Sequence, residues 1–123
     1  MADYTPVAPD GRYSYTCSAN VTGGQLVENT GNGTIGPAAV TSAKVVGVAA
    51  QDQVTNGKVL VHPIDDLHET ITGTGGLTAG QPVKAGALGT VVLYVVGTDP
   101  VNTYLGVCTV GATVGNVARW QGY

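Results

Sequence analysis

The sequence predicts a small all-β fold: one β domain over residues 12–123, preceded by an extended arm over residues 1–11. Three observations carry this reading. Nineteen glycines and six prolines punctuate the 123 residues, too often for long helices and without a collagen-like period. Apolar and polar residues alternate in short runs, as in Arg12-Tyr13-Ser14-Tyr15-Thr16-Cys17, the period of a half-buried strand. In the central stretch, Lys44 to Pro63, two runs rich in β-branched residues flank Asn56-Gly57. That dipeptide accepts the positive φ angles of a two-residue hairpin turn.

The elements follow in order. Residues 1–11 contain Pro6, Pro9 and Asp10-Gly11 and read as an arm, because proline cannot donate to a central ladder. Tyr13, Tyr15 and Cys17 share one face of the first strand. Thr22-Gly23-Gly24 turns the chain, Gln25 to Glu28 forms a short strand, and Asn29 to Gly36 reads as a glycine-rich loop. In the central hairpin the first run is apolar enough to be buried on both faces. The second alternates, with Val59 and Val61 on one side and Lys58, Leu60 and His62 on the other. A strand through His68 to Thr72 follows the polar link Ile64-Asp65-Asp66-Leu67. Leu88 to Val96 reads as the most hydrophobic strand, and Tyr104 to Val110 and Asn116 to Trp120 as the last two.

Three landmarks recur in the same order at nearly one spacing. Thr22-x-Gly24-Gln25-x-Val27 matches Thr78-x-Gly80-Gln81-x-Val83, Gly47-Val48 matches Gly106-Val107, and Thr55-x-Gly57-x-Val59 matches Thr113-x-Gly115-x-Val117. Such a recurrence points to two related β half-units packed together.

Composition narrows the function. Charged residues make up 11% of the chain, against roughly 25% in ordinary soluble domains. A surface so poor in charge suits repeated contact with other proteins, or a neutral surface rich in Thr and Gly. The net charge is -3 and the basic residues are scattered, so the clustered footprint of a nucleic-acid binder is missing. The longest apolar run, Val91 to Val96, is too short to cross a bilayer. The first residues lack the basic and apolar regions of a signal peptide, which predicts synthesis in a reducing cytoplasm and two separate buried thiols, Cys17 and Cys108.

Catalytic and metal signals are weak. His62, Asp65, Asp66, His68 and Glu69 form the one cluster of metal-capable side chains, but their spacing fits no metal motif, and His68 and Glu69 face opposite sides of a strand. No Gly-x-Ser-x-Gly occurs, and the glycine-rich loops carry no phosphate-binding lysine. We expect no enzyme, no metal and no cofactor. The aromatic residues say more. There is no Phe, and the Tyr and Trp side chains concentrate toward the ends, where such rings serve contacts that are partly apolar and partly wet. Tyr4, Val7, Tyr13, Tyr15, Trp120 and Tyr123 are the candidate interface residues.

Three stretches carry a family resemblance: Gly24-Gln25-Leu26-Val27, then Val45 to Asp52 leading into Lys58-Val59-Leu60-Val61, then Thr78-Ala79-Gly80-Gln81-Pro82-Val83. In this order, with the short arm and low charge, the chain resembles the capsid decoration (cement) proteins of tailed bacteriophages over roughly residues 12–120. The resemblance implies a small β-barrel or β-tulip-like sandwich, a homotrimer, and a seat on the outer surface of the major capsid protein lattice of the virion, with no nucleic-acid or membrane partner. It supplies no catalytic residues. It also implies that the arm over 1–11 pairs with the capsid protein. The alternative is a virion-displayed β-sandwich module that binds glycan or a host surface, for which Trp120 with Tyr123 is the candidate aromatic platform.

Overall fold

The computed structural model describes Val7, Ala8 and residues 10–123; most of the expected arm, Tyr4 included, lies outside the described residues. Ten strands follow in chain order: β1 (Tyr13–Cys17), β2 (Leu26–Gly31), β3 (Thr34–Pro37), β4 (Val45–Ala49), β5 (Lys58–His62), β6 (Leu67–Ile71), β7 (Pro82–Ala85), β8 (Val91–Leu93), β9 (Gly106–Val110) and β10 (Val117–Gly122). The first five close into a barrel in the order β1-β3-β2-β4-β5. β1 pairs antiparallel with β5 and parallel with β3, where Cys17 faces Ile35. Alternation decides what points inward. Val59 and Val61 of β5 join Cys17, Val21, Val27, Ile35 and Ala49 in the barrel interior.

The last five strands form a second sheet in the order β6-β10-β9-β7-β8. Its two edges meet at a parallel bridge between Thr72 and Val91, where the Gly73 N–H donates to the Val91 carbonyl at 2.9 Å. Every strand neighbour of the first barrel therefore has its equivalent here, with β6 for β1, β7 for β2, β8 for β3, β9 for β4 and β10 for β5. The interiors correspond as well: Val21, Val27, Ile35, Ala49, Val59 and Val61 answer to Leu77, Val83, Val91, Cys108, Ala118 and Trp120. The chain is an internal duplication.

The repeated Thr-x-Gly-Gln motif shows how sequence sets this geometry. In both copies the Gln N–H closes a turn onto the Thr carbonyl, and the Gln Oε1 accepts from the Thr N–H, at 2.8 Å for Thr22 and 2.9 Å for Thr78. Gly24 and Gly80 sit at φ 86° and 94°, a left-handed conformation that glycine adopts without steric cost. Gly47 and Gly106 each press against a neighbouring strand, at the carbonyls of His62 and Gln121. A side chain has no room there.

The two units share a core. Leu26, Ala38 and Val48 lie outside the first barrel and pack into the cluster that holds Leu77, Val83, Ala85, Leu105 and Trp120. The Gly89 N–H donates to the Ala38 carbonyl at 2.8 Å, the Thr41 N–H to the Ala85 carbonyl at 2.9 Å, and Gln25 Nε2 to the Leu88 carbonyl at 2.8 Å. Lys84 Nζ reaches Asp99 Oδ1 at 2.7 Å and Thr41 Oγ1 at 2.9 Å, and the Lys84 and Asp99 side chains are largely buried. The expected thiols occupy different clusters, Cys17 in the first interior and Cys108 in the shared core, and burial pushes both thiol pKa values up.

Four expectations need correction. β4 and β5 are antiparallel neighbours, but the turn between them is Val54–Gly57, with the Gly57 N–H on the Val54 carbonyl at 3.0 Å and only Asn56 at positive φ (72°). A two-residue I′ turn needs two such residues in a row, so this is a turn of the type II pattern. The third repeat landmark also shifts by one residue. Asn56 at φ 72° corresponds to Gly115 at φ 85°, so Val59 answers to Ala118 and not to Val117. Asn29 to Gly36 is a hairpin, β2 to β3, turned at Asn32-Gly33 with Gly33 at φ 71°. Finally, Leu88 to Val96 is no continuous strand: Leu88 and Gly89, at φ 54° and 71°, form a short 3-10 turn, and only Val91–Leu93 pairs as β8.

Candidate interaction surfaces

The predicted interface residues separate by burial. Val7 is exposed; next to it the Ala8 carbonyl accepts from the Gly11 N–H at 2.9 Å, and Gly11 lies against Pro63. Tyr13 is 44% exposed and meets half-buried Tyr15 edge to face, with ring centroids 5.1 Å apart. Tyr123 is 71% exposed and stacks on Tyr104 at 5.2 Å, which in turn meets buried Tyr94 at 5.5 Å. Trp120 is fully buried. Its Nε1 donates to Thr70 Oγ1 at 3.0 Å and its ring lies 4.9 Å from that of His68. An inward strand position removes this indole from any surface platform with Tyr123, so the glycan-binding alternative loses its aromatic pair.

The histidine and carboxylate cluster does not converge. His68 is buried beside Trp120, with Nε2 2.8 Å from the Pro63 carbonyl oxygen, and burial holds its pKa below the ordinary histidine value. Glu69 points the other way and pairs with Arg119 at 3.2 Å on the surface. Among the described residues no three metal-capable side chains come together, and no helix is long and apolar enough to span a membrane.

An open cleft of about 730 Å³ lies beside the seam of the second unit, lined by Ile71, Thr72, Lys84, Val92, Leu93 and Val114 among others. Its one amine is already engaged, since Lys84 is held by Asp99 and Thr41. The hydrogen bond from Lys84 keeps the Asp99 carboxyl below its usual range. The cleft holds no nucleophile paired with a base, the minimum for covalent catalysis.

Sequence reasoning missed a broader surface. Val95, Val96, Val101 and Val107 are exposed around the Tyr94 end of the second unit. Val107 is the counterpart of Val48, which the first barrel buries in the shared core. The repeat offset of Gly47-Val48 from Gly106-Val107 was the signal that could have found it.

No protein-family model matches the chain, and a search of curated proteins found no match. Among solved structures, the fold is shared with the head fiber gp8.5 N base of bacteriophage phi29, with a TM-score of 0.72, 21% sequence identity, and coverage of 91% of this chain and 92% of that one. The duplicated all-β architecture is thus a fold found in a phage head protein.

Proposed function

We propose that this chain is a structural protein of a phage virion, without catalytic activity, that binds the outer surface of the assembled major capsid protein lattice as a homotrimer and stabilises the head. The observation that carries the reading is the fold shared with a phage head fiber base over nine-tenths of both chains. The low charge, 11% of residues, and the exposed valines of the second unit support it, because surfaces covered by neighbours need few charges. The mechanism is avidity: many modest contacts on a fixed lattice add up without any single tight site. The segment before β1 supplies one such contact, by laying its backbone along an exposed strand edge of the capsid protein.

Deletion of residues 2–10 tests this. The truncated protein is expected to fold and self-associate as before, yet to co-sediment poorly with undecorated, expanded capsids. Full-strength binding would show that the segment is dispensable. Failure of the intact protein to bind any such lattice would sink the capsid reading itself.

A further inference from the structure

The contact between the two units of one chain is heterologous: one face of the first barrel meets a different face of the second. Within the chain, the tip Ala87-Leu88-Gly89 sits on the Thr22–Gln25 turn, where Gln25 Nε2 donates to the Leu88 carbonyl and Gly89 abuts the Leu26 carbonyl. Duplication supplies both halves of this contact a second time. Tyr94, which answers to Ala38, is covered by its own chain at Tyr104 and Asp99, but the turn, the tip and the Val107 position are not. Gln81 holds Thr78 as Gln25 holds Thr22, but among the described residues its Nε2 has no acceptor. Gly33 has the same φ as Gly89, 71°, with nothing within 4 Å of where its Cβ would stand. Gly80 answers to Gly24, which lies against the Glu69 carbonyl, and it too faces open space. Val107, exposed, answers to buried Val48.

We infer that a second copy of this chain covers this face, head to tail, with its Gly31-Asn32-Gly33 tip seated on the Thr78–Gln81 turn and Gln81 Nε2 donating to the Asn32 carbonyl. The contact between copies repeats the contact inside each copy, so one geometry serves twice around the assembly. The inference rests on the self-association part of the function proposed above and adds which surfaces meet.

Three variants of the full chain test it by sedimentation equilibrium, with circular dichroism to confirm folding. Gly33→Asn keeps a residue tolerant of positive φ but puts a side chain where the neighbour's turn would sit. Gln81→Glu keeps the acceptor for the Thr78 N–H and removes the donor. Gly115→Asn is the control, since its counterpart is already Asn56 at φ 72°. The first two are expected to weaken self-association by about tenfold or more, roughly 1.4 kcal/mol, and the control to leave it unchanged. Wild-type association in either folded test variant would overturn the pairing while leaving self-association standing. A wild-type chain that stays monomeric at every concentration would overturn both.

Discussion

Thr72 holds the position in the second unit that Cys17 holds in the first, and its buried Oγ1 has no hydrogen-bond partner among the described residues. An orphaned buried hydroxyl costs on the order of 1–3 kcal/mol relative to one that is satisfied. Thr72→Val keeps the branched shape and removes the hydroxyl, so it is expected to stabilise the protein by about 1 kcal/mol in urea denaturation. A loss of stability would show that the hydroxyl has a partner in solution. His68 sets a second expectation. Burial lowers its folded pKa, so between that pKa and the unfolded value of roughly 6.5 the unfolded chain binds more protons. Stability is therefore retained above about pH 6.5 and lost as pH falls below it. Asp99, held low by Lys84, adds its own loss only below about pH 4, where free aspartate begins to protonate. The melting temperature should drop between pH 8 and pH 5, and His68→Gln should flatten that drop. Equal wild-type melting temperatures at the two pH values would rule out this role for His68.

At the scale of the elements, the close approaches at Gly47 and Gly106 make a matched pair of tests. Gly47→Ala drives a methyl group into the His62 carbonyl and Gly106→Ala into that of Gln121. Each is expected to cost about 1–3 kcal/mol, as overpacking does. Gly57→Val should also destabilise, through collision with the Gln53 side chain, whose Nε2 donates to the Lys58 carbonyl at 2.9 Å. A wild-type melting temperature in any of the three would show that the neighbouring strand or side chain yields. These glycines also show how far the sequence could be read. The alternation of Val59 and Val61 marked an inward face, and the paired Thr-x-Gly-Gln motifs marked the duplication because a turn with one left-handed residue is local chemistry. A barrel was expected from the family resemblance, but how it closes was not legible, since the parallel pairing of Cys17 with Ile35 is chosen by contacts far apart in sequence. Hydrophobicity misled at Leu88 to Val96, where two left-handed residues interrupt the run. Trp120 misled at the candidate surface, because an indole near the end of a chain looks the same in sequence whether or not a Thr70 hydroxyl waits for it inside.

For the whole molecule, the shared core and the bonds that cross between the units, Lys84 to Thr41 and Gly89 to Ala38 among them, make the two units one body. Leu26, Ala38 and Val48 cannot leave the cluster around Trp120 without exposing it, so a single cooperative unfolding transition is expected in calorimetry; two separated transitions would mean that the units unfold independently. The closure of the sheets has a different consequence. The first barrel has no unpaired edge, and the edges of the second are joined at Thr72 and Val91. A chain this rich in valine, held at high local density, would ordinarily risk polymerising strand on strand, since open ladders template cross-β growth. Here little ladder is left to offer. Copies crowded side by side would have loop tips and side chains to meet through, so their neighbours could be many while amyloid-like zippering found almost no place to begin.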